Sequence, residues 1–249
     1  MNVKKCPIIA IFLLAGFMLV FAATPVHAMH ISEGILPLQW AVLWLVLSVP
    51  FLVWGLRNLR VRSQTEPHLK AFVGLVGAAV FVISCMPIPV PTAGTCSHPC
   101  GTGMAAILIG PSLTVVVTSI ALILQALFLA HGGLTTLGAN ILSMGVMGAF
   151  TGYGAFVFAR RLGVPWLAAA FLAGLLSDWA TYAGTSFFLA TALHGESPVG
   201  TLFLTILLAF VPTQLPLGIL EGLITAGAYR LVHSRRPEFL GMLAKGGAL

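Results

Sequence analysis

The chain has 249 residues, of which 59% are hydrophobic and only 7% charged, with a mean hydropathy of +1.04 and a formal net charge of +6. Soluble globular domains carry roughly 25% charged residues, so this composition excludes an ordinary solvated surface and leaves one polytopic membrane domain with no linker or low-complexity run. The basic excess does not indicate nucleic acid, because the Lys and Arg residues flank apolar stretches and have no stacking platform among them; it reports topology and anionic lipid instead.

Lys4 and Lys5 precede an apolar run from Ile8 to Ala23, followed by Thr24-Pro25-Val26-His27-Ala28. A basic segment, an apolar segment, a helix-stopping Pro and small residues before a cut form a secretory signal peptide. The expected domain division is therefore a cleaved leader at 1–28 and a single integral membrane domain at 29–249. An uncleaved signal anchor is the rival reading. Cleavage after Ala28 makes Met29 a free amino terminus with His30 as second residue, outside the cytoplasm.

Six apolar stretches follow, at about 38–56, 71–88, 112–130, 138–159, 165–190 and 200–229, most of them long enough to cross a ~30 Å hydrocarbon core. A shorter one, about 102–110, precedes Pro111. If it does not cross, Arg160, Arg161, Arg235 and Arg236 fall outside; if it does, all ten basic residues beyond the leader fall on the cytoplasmic side, as the positive-inside bias prefers. The predicted fold class is thus all-α, a polytopic membrane protein of about seven transmembrane helices, amino terminus outside and carboxy terminus cytoplasmic.

This topology gathers Met29, His30, Glu33, Cys96, His98, Cys100, His131, His194 and Glu196 on the external face. His30 is the sharpest candidate. As second residue of a free amino terminus it offers three nitrogens together: the Met29 amine, its own deprotonated amide and an imidazole nitrogen. One more imidazole completes a planar set of four nitrogens, suited to Ni(II) or Cu(II) and imposable on Co(II). Taken alone, a histidine at a terminus is more often a frayed surface residue. His98 lies in a Gly- and Pro-rich loop, Thr92 to Gly103, whose constrained backbone can dip among helices and present that imidazole; a turn histidine meeting water is the competing reading. Cys96 and Cys100 flank His98 and are open to three readings: a disulfide, a thiolate pair, or inert thiols. Ser97, His131 and Asn140 are candidates to steady a ligand imidazole; helix capping is the plainer role for the last two. Asp178 and Glu221 lie at membrane depth, where ionisable groups face the bundle interior. They are expected to serve helix packing or contacts with a coupled subunit, since neither clusters with the histidines in sequence. No G-x-x-x-x-G-K-[ST], H-E-x-x-H or G-x-S-x-G pattern occurs, so no enzyme constellation and no nucleotide loop is expected in the chain.

Met29-His30-Ile31-Ser32-Glu33-Gly34-Ile35-Leu36-Pro37, Cys96-Ser97-His98-Pro99 with Gly101-Thr102-Gly103, and Gln125-Ala126-Leu127 through His131 to Asn140 resemble the CbiM/NikM family, as do Thr213-Gln214-Leu215-Pro216 and Glu221-Gly222. These are substrate-specific membrane subunits of cobalt and nickel energy-coupling-factor transporters. The resemblance implies a metal held by Met29, His30 and His98. It further implies a transmembrane coupling subunit, cytoplasmic ATPase subunits and a small accessory membrane subunit as partners, in a bacterial inner membrane. The transported substrate is Co(II) or Ni(II), with no organic cofactor; the leader and the Cys-Ser-His-Pro loop resemble the cobalt branch, which supplies cobalamin synthesis. Cys100 departs from the family's Thr at that position. A nickel-specific subunit of the same kind, a stand-alone secondary cation transporter, and an extracytoplasmic redox protein using Cys96 and Cys100 are the alternatives.

Overall fold

The computed structural model describes residues 31–86, 88–90 and 95–240. Among them seven helices account for nearly all regular structure: α1 (Leu38–Thr65), α2 (Leu69–Ser84), α3 (Thr102–Ile109), α4 (Pro111–Phe128), α5 (Leu137–Arg161), α6 (Trp166–Leu193) and α7 (Val199–Arg235). Each apolar stretch read from the sequence corresponds to one helix. Proline sets several of the boundaries: Pro37, Pro165 and Pro198 each precede a helix in extended conformation, and Pro111 opens α4, where its missing N–H costs nothing.

The connection between α2 and α3 contains two short paired strands. Strand β1 (Ile88–Val90) pairs antiparallel with β2 (Thr95–Ser97), in the register Ile88 with Ser97 and Val90 with Thr95. The β-branched pair Ile88 and Val90 suits a strand, and Pro89, which has no N–H to offer, is tolerated because both strands are edges.

Four helices, α1, α4, α5 and α7, are long and apolar enough to cross a membrane by length and composition. Helix α2 is shorter at 16 residues. Helix α6 has the length, 28 residues, but its buried face is polar, with Ser177, Asp178, Thr181, Thr185 and Ser186. Large apolar side chains such as Val46, Val61, Leu75, Leu204, Leu208 and Leu223 stand exposed along α1, α2 and α7. In water such a surface would drive aggregation; in lipid it is the ordinary exterior. The chain is a multi-pass membrane protein whose polar groups turn inward.

Cross-contacts fix which helix ends lie together. At one end the Arg62 guanidinium donates to the Ile109 carbonyl (3.3 Å) and the Asn58 amide to Ser112 Oγ (2.7 Å), so the α3–α4 junction sits beside the basic end of α1. Trp166 stacks on His233 and Phe72 on Phe239, which brings the starts of α6 and α2 to the end of α7. At the opposite end Gln125 Nε2 donates to Ser84 Oγ (2.7 Å). The short α3 sits among its neighbours with every residue buried. A Cβ on Gly103 would lie 2.7 Å from the Ala173 carbonyl oxygen, so only glycine lets α3 press this closely on α6.

Helix α5 contains a π-helical stretch, Ile141–Gly148, immediately after Asn140. Such wide turns occur chiefly where a helix serves a site, and Asn140 proves to hold the incoming chain.

Candidate metal centre

Beyond β2 the chain turns into the bundle. Ser97, His98, Pro99 and Cys100 are all buried, His98 at 1% exposure. Non-helical backbone survives at such depth only where its polar groups find partners, and α6 and α7 supply them. The His98 N–H donates to Tyr182 Oη (2.9 Å), and the Tyr182 hydroxyl donates to the His98 carbonyl (3.1 Å). Ser97 Oγ lies 2.8 Å from Thr213 Oγ1 and accepts from Gln214 Nε2 at 2.6 Å. Glu221, fully buried on α7, accepts the Cys100 N–H on Oε2 (2.6 Å) and the Gly101 N–H on Oε1 (2.9 Å). Gly101 has φ +70° and starts α3 at once; a side chain there would strain the turn. Tyr182 and Glu221 thus fix the loop through its main chain, whereas Thr213 and Gln214 hold it through the Ser97 hydroxyl.

That arrangement selects one imidazole tautomer. His98 Nδ1 lies 2.8 Å from the Pro99 carbonyl oxygen. A carbonyl only accepts, so Nδ1 carries the proton and the lone pair is on Nε2. Burial lowers the His98 pKa to about 4, against a rise from the Pro99 hydrogen bond and with a further lowering from nearby His131, whose own pKa burial also lowers to about 4. Both rings are therefore neutral near pH 7, the state in which an imidazole ligates a metal. The sign of the linkage follows. The unfolded chain binds a proton on His98 below about pH 6.5 and the folded chain does not until about pH 4, so stability is full above 6.5 and falls as the pH drops towards 4. For His98 alone the loss is expected to approach about 3 kcal/mol. Thermal unfolding of the metal-free protein in detergent between pH 7.5 and 4 measures it, and His98→Gln should make the profile shallower, leaving the fall contributed by His131.

The amino-terminal segment enters the same end of the bundle. Ile31 is completely buried. Its N–H donates to Asn140 Oδ1 (3.0 Å), and its carbonyl accepts from the Thr136 hydroxyl and from Asn140 Nδ2. Two residues on, the Glu33 carboxylate accepts the Thr135 N–H (3.2 Å). Hydrogen bonding to Thr135 lowers the Glu33 pKa, so it is charged at neutral pH. Gly133 is obligatory beside it, because a Cβ there would lie 2.7 Å from Glu33 Cα. The connection between α4 and α5 also holds His131, whose ring centroid is 6.1 Å from that of His98. One loop therefore touches both the chain entering at Ile31 and the imidazole of His98.

The family model described as the cobalt uptake substrate-specific transmembrane region matches residues 30–239. The chain belongs to the CbiM family. It is 60% identical over 215 residues to the cobalt transport protein CbiM of Sorangium cellulosum, covering 86% of this chain and 96% of that one. To CbiM of Geobacter sulfurreducens it is 57% identical over 243 residues, covering 96% and 68%. A crystal structure of a truncated transition metal transporter superposes with a TM-score of 0.72 at 25% identity, over 83% of this chain and 99% of the other. A second transition metal transporter structure, at 22% identity and TM-score 0.73, shares the fold. Membership in CbiM sets the chain among cobalt transport proteins rather than enzymes.

Within this CbiM-family fold, the sequence-predicted residues separate as follows. Met29 and His30 lie outside the described residues, as does the leader, and the Cys96 side chain is likewise not described. His98 is buried at the centre of the loop, with His131 beside it. Asn140 holds the Ile31 backbone rather than a described imidazole, and Ser97 joins Thr213 and Gln214 on α7. Cys100 carries a free thiol, which does not fit a disulfide with Cys96. Cys85, expected as a buried residue within a span, is the half-buried residue capping α2. Asp178 and Glu221, expected as helix-packing partners, do join α6 to α7 by a hydrogen bond between their carboxyls; although distant from the histidines in sequence, they also pack against Cys100, two residues from His98. Tyr182 and Thr136 were not anticipated as site residues. Nothing in spacing marks either; only the fold brings them to the loop and to Ile31.

Proposed function

We propose that this CbiM-family chain captures Co(II) on the extracytoplasmic side through the Met29 amine, the amide and imidazole nitrogens of His30, and His98 Nε2, as the substrate-binding subunit of an ATP-driven energy-coupling-factor importer. The observation that carries the reading is the burial and two-sided hydrogen bonding of Ile31. Residue 30 is one Cα step, about 3.8 Å, from a residue anchored inside the bundle, at the end where the neutral His98 sits. A terminus anchored there has lost most of its chain entropy before the metal arrives, which favours a chelate.

Removal of the leader at 1–28 supplies the amine. Basic residues at the ends of α1, α5 and α7, opposite the His98 end, support a seven-span topology with the carboxy terminus in the cytoplasm. The transported ion is written as Co(II) because the family and the relatives are named for cobalt. The chain has no nucleotide loop, so hydrolysis belongs to partner ATPase subunits working through a membrane coupling subunit; cobalamin synthesis is the proposed use of the metal. His131 and Asn140 steady the assembled site, the first beside His98 and the second through Ile31.

A chain acetylated on the Met29 amine tests this. Acetylation turns that amine into an amide and removes the first nitrogen of the chelate while leaving Ile31 and everything after it intact. Co(II) affinity by competition dialysis should fall at least 100-fold, with unchanged thermal stability of the metal-free protein. Equal affinity in the two chains would place the ion elsewhere.

A further inference from the structure

Beneath His98 the loop delivers a second donor set that the amino-terminal chelate does not use. Cys100 Sγ, a carboxylate oxygen of Asp178 and one of Glu221 lie within 4.8 Å of one another, all three residues fully buried. The sulfur is 4.0 Å from Asp178 Oδ1. Asp178 Oδ2 has no hydrogen-bond partner among the described residues, although Asp178 is 0% exposed. The ion pairs among the described residues are Arg62–Glu66 and Arg236–Glu238, so no cationic side chain answers these two carboxyl groups. Buried carboxylates without a cation are costly unless they are protonated or coordinate a metal. Glu221 accepts the Cys100, Gly101 and Gly103 N–H groups and shares a hydrogen bond with the Asp178 carboxyl, so a metal here takes the place of that carboxyl–carboxyl hydrogen bond.

We propose that Cys100, Asp178 and Glu221 form a second, interior site for a divalent transition-metal ion, through which Co(II) passes after leaving the outer chelate. One thiolate and two carboxylates suit a borderline ion such as Co(II) in a tetrahedral or near-tetrahedral setting. The spacing needs only a small contraction to reach bond lengths of about 2.0–2.3 Å. Binding displaces the thiol proton and the proton shared between the Asp178 and Glu221 carboxyls, and both go to solvent. The site is also placed for a hand-over. Asp178 precedes Tyr182 by four residues on α6, one turn or about 6 Å, in the direction of the basic end of the bundle, whereas Tyr182 holds the His98 backbone. An ion released by His98 thus meets Cys100, two residues on, with both carboxyl groups behind it.

The test uses the full chain in detergent with Co(II) alone as probe, reading bound metal by dialysis and the optical spectrum together. The unaltered protein at excess Co(II) should hold two ions per chain and show a thiolate-to-cobalt charge-transfer absorption in the near ultraviolet. His98→Ala should keep one ion and the absorption. Cys100→Ser should lose the absorption and one ion while retaining the outer one, and Asp178→Asn should weaken the inner ion at least tenfold with the outer one unchanged. The unaltered protein needs no variant to fold: absence of the thiolate absorption at excess Co(II) would overturn the proposal, as would its persistence in Cys100→Ser, which would assign it to another cysteine. Failure of the outer chelate gives a different pattern, namely one ion per chain with the absorption present and insensitive to His98→Ala.

Discussion

His98→Ala should abolish cobalt uptake and leave the fold in place. The imidazole is one of the four nitrogens proposed for the ion, and losing a direct ligand should cost at least two decades of affinity, about 3 kcal/mol. The structural side effect is limited for a specific reason. Tyr182 grips the His98 N–H and carbonyl, and Glu221 grips the next two N–H groups, so the loop path does not depend on the ring. Removing the ring leaves a small cavity and frees the Pro99 carbonyl. Uptake of radioactive cobalt into cells, read beside the melting temperature of the purified variant, separates the two effects: uptake at background with melting within a few degrees of the parent is the expected pair of results. Uptake above half of the parental rate would remove His98 from the site.

Glu221→Ala should have the larger structural effect. Its carboxylate is fully buried and is the partner of the Cys100 and Gly101 N–H groups. Truncation leaves two buried donors without an acceptor and opens a void where α3 begins. Leaving each buried N–H unsatisfied costs roughly 1–3 kcal/mol, together a large share of the stability of a single domain. The variant is expected to melt at least 10 °C lower and to lose uptake, because the loop bearing His98 no longer has a fixed register. Glu221→Gln keeps the shape but turns one acceptor into a donor facing an N–H, so it should recover only part of the stability. If Glu221→Ala melts like the parent, the loop is held by Tyr182, Thr213 and Gln214 alone.

Much of this architecture is legible in the sequence because lipid imposes simple rules. Apolar stretches bounded by Pro37, Pro111, Pro165 and Pro198 became helices, and even the short piece at 102–110 became α3. Its junction with α4 lies beside Arg62. His98 was legible as a loop imidazole because Gly and Pro crowd around it. What sequence distance concealed was the third dimension. Asp178 and Glu221 are 78 and 121 positions from Cys100 yet touch it, and only the close packing of α3, α6 and α7 at Gly103 and Gly174 brings them there. The Thr213-Gln214 and Glu221-Gly222 pairs were visible as part of a family resemblance; their work, holding the loop by Ser97, Cys100 and Gly101, was not. The hairpin at Ile88–Ser97 was missed because three-residue strands lie below any periodicity that alternation can reveal.

The central claim is that a freed amino terminus and a loop histidine together hold the ion. A native mass spectrum of the purified protein, expressed with its leader and given one equivalent of Co(II), reads both parts at once. With the proposed inner site removed by Cys100→Ser, the predicted result is a chain beginning at Met29 that retains one Co(II), with the added His98→Ala change showing a much smaller metal-bound fraction. A chain beginning at Met1 that binds Co(II) equally well, or a Met29 chain in that background whose Co(II) is indifferent to His98→Ala, would contradict it.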